Sequence, residues 1–275
     1  MKLATFAILS PVFLSPALLV ACGPIETETA YESTSAEPAQ TSGALSSCHT
    51  FDVDFAGCRE FAGIGTVPAA NARPLVPAHF ALVSGGGMNA VIVVRGSECS
   101  GTSIDGKKPV AARVSQIGIS ITGPGTDPTA DINNYLLWYA TDLGALNGKL
   151  TAAGVDADVD QGLVVQFTPG TPPTSGVIEV ASSPPHAPPY MVRGPAAVPT
   201  ASAVPFTATW WQDGKKGTVE MRTVFPAIQF GSATTRLTTP AGSALANLIG
   251  GTTLTFGFLD SFNTFPAAHM DVCGG

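Results

Sequence analysis

The chain has 275 residues, with 13 Lys and Arg against 20 Asp and Glu and a formal net charge of −7 at pH 7. Only 12% of its residues are charged, so the clustered basic surface that a phosphate backbone requires is missing and nucleic acid is excluded as a partner. Its 45% hydrophobic content is enough for one sizeable core, while 30 Gly and 23 Pro disfavour long helices and favour turn-rich β structure.

In chain order, Met1 and Lys2 give a short positive start and Leu3 to Val20 are almost uninterruptedly apolar, with no acidic residue before Glu26. This is the layout of a secretory signal. A spanning helix is the rival reading, but Pro11 and Pro16 would each remove a helical hydrogen bond and no basic flank follows. Leu19, Val20, Ala21 and Cys22 then resemble the lipobox of bacterial lipoproteins: branched apolar residues, a small residue before the cut, and a cysteine after it. The resemblance implies cleavage after Ala21, diacylation of the Cys22 thiol and acylation of the new amino terminus. A plain secretory signal with an incidental cysteine is the alternative. Two or more acyl chains anchor stably where one is marginal, so the expected partner is a membrane, reached through the N-terminal lipid. The expected localisation is the cell envelope, on the extracytoplasmic side. Gly23, rather than aspartate, after the cysteine implies the outer membrane if the source is Gram-negative.

On this reading residues 1–21 are a signal peptide, and their loss takes Lys2 with them, moving the formal charge from −7 to −8. Residues 22–47 follow as the lipidated cysteine and a tether, GPIETETAYESTSAEPAQTSGALSS, with four glutamates and too few apolar residues to fold. A flexible coil of this length spans about 25–30 Å.

Residues 48–275 read as one β-rich globular domain. Alternation and β-branched runs predict strands at 59–66, 89–97, 111–121, 132–141, 161–168, 176–181, 205–212, 217–230 and 252–260. Two segments read as helices. In DLGALNGKLTAAG, Asp142 can cap, Leu143, Leu146 and Leu150 share a face, and Gly154 can terminate; in PAGSALANLIGG, Ser243 or Pro240 opens and Gly250 with Gly251 closes. A short helical turn fits VPAANARPLVP, and SSPPHAPPYMVRGP (182–195) reads as a long surface loop. The predicted fold class is mainly β with a few short helices (α+β), as a single closed or nearly closed antiparallel β-barrel, with a sandwich as second choice. INNYLLWYATD carries bulky residues on both parities, so both faces of that strand are expected to be covered.

VPAANARPLVPAHFAL (67–82), the strand NAVIVVRG, a strand ending in SITGPG, and YATDLGALNGKLTAAGV together resemble the layout of the acetoacetate decarboxylase superfamily, over roughly residues 58–270. The resemblance implies a cone-shaped β-barrel entered from a short proline-flanked helix. It also implies a lysine nucleophile in a glycine-, proline- and lysine-containing turn after the later helix. Here that place reads AAGVDADVDQG and holds no lysine. Lys149 is the nearest candidate, but it falls within the helix, where an exposed amine stays protonated. The resemblance therefore implies the fold more than the activity.

Other chemistry can be weighed from the residues themselves. Asp156, Asp158 and Asp160 alternate and could share a face as calcium ligands, yet the glycine of an EF-hand loop comes one place late and Phe167 stands where its glutamate should be. A solvated acidic turn is the competing account. His49, His79, His186 and His269 show no metal-ligand spacing and read as surface residues. No GxSxG elbow is present, and SGGGMN (84–89) reads as a hairpin turn. No cofactor is expected.

With Cys22 assigned to lipid, Cys48, Cys58, Cys99 and Cys273 form an even set in an exported chain. Barrel closure favours Cys48 with Cys273 and Cys58 with Cys99 among the three possible connectivities. In TATWWQDGKKGTVEMRTVF the turn is DGKKG, and alternation puts Glu220 and Arg222 opposite Val219, Met221 and Thr223. The polar parity faces either solvent or a barrel lumen. If a pocket exists, Tyr135, Tyr139, Trp211, Glu220 and Arg222 are its candidate lining, since they combine apolar bulk or charge with strands expected to be covered on both faces. The expected function is non-catalytic binding of a small apolar or amphipathic ligand, or of a partner. The alternative is an extracytoplasmic enzyme acting on a small carbonyl or keto-acid substrate.

Overall fold

In this computed structural model residues 49–274 are described, so the expected signal peptide, Cys22, the tether and Cys48 lie outside the described residues. The elements run β1 (Phe51–Pro68), α1 (Ala69–Ala72) with a 3-10 turn (Arg73–Leu75), β2 (Ala81–Leu82), β3 (Asn89–Ile104), β4 (Val110–Thr122), β5 (Ile132–Thr141) and α2 (Gly144–Ala153). They continue with β6 (Ala157–Val159), β7 (Val164–Pro169), β8 (Ser175–Ser182), β9 (Tyr190–Ala197), β10 (Val204–Gly214) and β11 (Gly217–Phe230). The last are β12 (Ser232–Ala233), β13 (Arg236–Thr238), α3 (Ala244–Ile249), β14 (Thr253–Thr255) and β15 (Leu259–Gly274).

Seven strands close a barrel in the order β4, β3, β1, β15, β11, β10, β5, with β5 returning to β4. Six of the seven seams are antiparallel, and β5 with β10 is parallel. The expected closed antiparallel barrel is present, with one parallel seam for a simple reason: an odd number of strands cannot alternate direction all the way round. One parallel seam is the minimum.

The barrel interior holds residues from all seven strands, including Val53, Val93, Val114, Leu136, Trp210, Met221 and Met270. Leu146, Leu150 and Ala153 of α2 join the same cluster, so the helix stoppers one end of the barrel. Gly154 ends α2 in the left-handed region at φ 105°, its N–H returning to Leu150 and Thr151 carbonyls, as the sequence predicts. The predicted Asp142 cap is not used, because that carboxylate instead accepts from the Arg113 backbone N–H at 2.7 Å and its guanidinium at 3.3 Å. At α3 the Ser243 cap is present, its hydroxyl accepting from the Ala246 N–H at 3.0 Å.

A second sheet, β14-β13-β9-β8-β7 with β12 on β9, covers the outside of the barrel together with α3. The opposite parity of the barrel strands, Ile92, Val94, Ile117 and Ile119, meets Ile178, Val180 and Val192 of that sheet. Gly96 makes the approach possible, since a Cβ there would lie 2.6 Å from Val180. Both faces of β5 are therefore covered, Leu136 and Tyr139 from within and Tyr135 from without. Several elements depart from the sequence reading: β1 begins well before the predicted 59, β3 runs past the predicted 97, and the short β6, β12 and β13 are additional. β9 occupies the second half of the proline segment read as a loop, and the strand predicted at 252–260 is instead the short β14 and the first residues of β15, which continues to Gly274. In β9 and β15, proline masks an alternation that the sheet tolerates: Pro266 of β15 falls where the ladder to β1 skips a residue.

Candidate functional site

The parallel seam creates an opening. β5 pairs with β10 only over Ile132–Tyr135 and with β6 only over Tyr139–Thr141, which leaves its middle without a strand on that side. Gln212 bridges this split: its side-chain oxygen accepts from the Asp156 N–H at 2.6 Å and its amide donates to the Leu136 carbonyl at 3.5 Å. Outside the bridge lies a cleft of about 770 Å³, with Leu75, Leu137 and Trp138 as its apolar wall and Lys215 and Lys216 of the β10–β11 turn on its rim. Asp156 and Asp213 also line it. The Tyr135 hydroxyl accepts from the Asp213 N–H at 3.4 Å, and burial pushes its phenol above the usual range despite that bond. Lys216 donates to the Ala152 carbonyl at 3.0 Å, and His79 stands 3.6 Å from Asp213. The mouth thus pairs an apolar wall with two lysines and two aspartates, an amphipathic lining of mixed charge.

Inside the barrel a different polar group is buried. Arg95 lies on the inward parity of β3 with Val93 and Cys99, and its Nε donates to Glu60 on β1. The two side chains are only 11% and 5% exposed. The guanidinium also donates to Gln116 Oε1 at 2.7 Å and lies 5.4 Å over the Phe225 ring, while Glu60 accepts from Asn263 Nδ2 at 3.2 Å. Tyr139 follows next to Gln116 in register, and burial drives its phenol strongly upward, with Arg95 opposing. The sequence carries a signal for Arg95, which is not among its candidate residues: a charge stands on the parity of Val91 and Val93 in NAVIVVRG.

The structure divides the candidate lining set. Tyr139 is inside the barrel, whereas Tyr135 and Trp211 belong to the outer cluster and Glu220 and Arg222 stand on the outward face of β11, so no single lumen gathers them. Of the five, only Tyr135 lines the cleft. Lys149 is 42% exposed and donates to Asp105 at 2.6 Å, as a surface ion pair. The three aspartates after α2 serve separate ends. Asp156 lines the cleft, Asp158 accepts from the His186 N–H at 3.3 Å, and the buried Asp160 accepts from Ser182, Ser183 and Gly162 at 2.7–3.0 Å. Asp160 is a loop staple, and the three do not converge as calcium ligands. Cys58 and Cys99 form the expected disulfide; Cys273 is also disulfide-bonded, and its expected partner Cys48 is outside the described residues.

Arg222 pairs with Asp127, from the loop before β5, at 2.8 Å. Burial works against charge on Asp127, but the Thr129 hydroxyl and N–H and the Arg222 guanidinium outweigh it and hold the carboxyl below the usual range. A depressed folded value means that the stabilisation is complete above the ordinary carboxylate pKa of about 4 and is lost as pH falls through the folded value. Asp127→Asn should therefore lower the melting temperature at neutral pH and flatten the acid limb of its pH profile. An acid limb identical to that of the wild type would remove Asp127 from the account.

No family model matches the sequence, and no curated protein matches it significantly. Among solved structures the chain is similar to acetoacetate decarboxylase, at TM-score 0.53 and 11% identity over 86% of this chain and 94% of that one. It is also similar to an acetoacetate decarboxylase-like enzyme from Sphingomonas wittichii RW1, at TM-score 0.50 and 10% identity over 82% and 91%. At such identities the likeness speaks for architecture alone: the closed barrel stoppered by α2 and flanked by a second sheet is an acetoacetate decarboxylase-like fold.

Proposed function

We propose that the protein is a lipid-anchored extracytoplasmic binding protein, in which a decarboxylase-like barrel has a filled interior and the cleft at the β5–β10 seam takes a small amphipathic acid. One observation carries the reading. None of Lys107, Lys108, Lys149, Lys215 and Lys216, the lysines among the described residues, is buried, and the cation inside the barrel is Arg95, paired to Glu60. A guanidinium stays protonated and is no imine-forming nucleophile, whereas a Schiff-base lysine sheds its proton through burial or a neighbouring cation; Lys215 and Lys216 are neighbours but both are exposed. The lipid anchor rests on the LVAC sequence at 19–22.

The second reading, an enzyme of small carbonyl or keto acids, draws on Lys215 and Lys216 at the cleft. Borohydride reduction in the presence of pyruvate or acetoacetate separates the two. The expected result is no gain of mass on any lysine, together with saturable thermal stabilisation by medium-chain carboxylic acids that is lost in the Lys215→Ala, Lys216→Ala double variant. A trapped adduct would make the enzyme the better reading; no stabilisation by any acid would remove the cleft.

A further inference from the structure

We propose that Asp52, Asp54 and His269 form a binding site for a divalent cation of the zinc class at the seam between the first and last strands of the barrel. The site lies on the outer face, away from the cleft, and is independent of the function proposed above. Register builds it: Asp52 is directly opposite Asp271 and Asp54 directly opposite His269 in the β1–β15 ladder. All four project from the parity opposite Val53, Phe55, Met270 and Val272, which fill the barrel. One ligand atom each from Asp52, Asp54 and His269 lies within 4.8 Å of the others, a spread that a modest rotamer adjustment closes to metal-ligand spacing.

The donor types select the cation. An imidazole nitrogen with carboxylates suits zinc and its neighbours, whereas calcium and magnesium take oxygen alone. The histidine is also oriented as a ligand would be. Its Nδ1 is 2.7 Å from Asp54 Oδ1, facing the carboxylates, while Nε2 is 3.2 Å from Asp271 Oδ1. A carboxylate on the far nitrogen is the arrangement that fixes tautomer and ring angle in metal-binding histidines. A second imidazole, His49, reaches to 3.6 Å from Asp52 and 4.0 Å from Asp271 at the rim.

The tile's counter-charge comes from its imidazoles, since His269 pairs with both Asp54 and Asp271 and His49 stands against Asp52 and Asp271, so a metal ion would replace the role that the His269 ring plays there. Asp52 and Asp271 place like charges in directly opposed positions, which costs stability, and among the described residues no lysine or arginine is ion-paired to either of them or to Asp54. On metal entry the Nδ1 lone pair goes to the cation, the hydrogen bond to Asp54 breaks, and any proton on Nδ1 leaves to solvent. The result is a clamp joining β1 to β15. Its ligands are 215 residues apart in sequence, beyond the reach of any spacing rule.

The test uses the purified full-length chain, stripped with a chelator and titrated with zinc chloride while heat and melting temperature are followed. We expect one equivalent bound and a raised melting temperature. His269→Gln and Asp54→Asn should abolish saturable uptake, and Asp271→Asn, which only orients the ring, should weaken it about tenfold. His186→Gln should bind as the wild type does. Cobalt(II) added to the stripped wild type should give visible d–d bands of a nitrogen- and oxygen-ligated site, a readout that does not depend on any variant folding. Absence of saturable zinc uptake, uptake that survives in both ligand variants, or equal affinity for calcium would overturn the proposal.

Discussion

Glu60→Leu destabilises the protein by about 3–5 kcal/mol, while adding Arg95→Met to it recovers much of the loss. The argument turns on which partner is left behind. Among the described residues Glu60 is the only carboxylate bonded to the Arg95 guanidinium, and the Arg95 side chain is only 11% exposed, inside a barrel filled mainly with apolar residues. Removing Glu60 strands a buried cation. Gln116 still accepts from it and Phe225 still faces it, but neither carries a compensating charge. Removing both charges eliminates two desolvation penalties at once, and a leucine and a methionine fill similar space. Recovery should stop short of complete, because Gln116 loses its bond to Arg95 and Asn263, whose Oδ1 has no partner among the described residues, loses its bond to Glu60. Urea unfolding of the two variants and the wild type provides the measurement. If Glu60→Leu were as stable as the wild type, or if the double variant were no better than the single, the buried pair would not hold the interior as described.

The same pair marks how much the sequence discloses. Barrel strands with clean alternation, such as β5 and β11, are legible to within a residue or two, because one parity is apolar wherever the lumen lies. β9 and the far half of β15 were not, since Pro195 and Pro266 interrupt the pattern and local rules give proline more weight than the neighbouring strands do. The parallel β5–β10 seam was invisible for another reason: strand direction is set by the topology of the whole chain, and no residue of Ile132–Tyr135 encodes it. The cleft inherits that limit. Lys215 and Lys216 read as a hairpin turn, and only the split between β10 and β6 turns that hairpin into the rim of a cleft. Asp52, Asp54 and His269 are the extreme case, joined purely by the closure of the barrel.

Replacing Cys58 and Cys99 together with alanine should cost about 4 kcal/mol, chiefly by freeing the unfolded chain. The two cysteines are 41 residues apart and directly opposite in the β1–β3 ladder, so the bond pins a long loop at a position the sheet already defines. Both are nearly inaccessible, at 3% and 2%. Thiol–disulfide exchange needs an attacking thiolate to reach a sulfur, so a reductant alone should leave the native bond intact, and cleavage should begin only when denaturant opens the barrel. The two measurements are complementary. Denaturant midpoints of the alanine pair report the stability, and alkylation of native protein after reductant treatment reports access. An alanine pair as stable as the wild type would mean that the β1–β3 seam holds this loop even in the unfolded ensemble. Rapid alkylation of both cysteines without denaturant would mean that the seam opens readily in the native state. Because β1 pairs with β3 on one side and β15 on the other, such opening would also expose the Glu60–Arg95 pair, and the two variants would then lose stability less than additively.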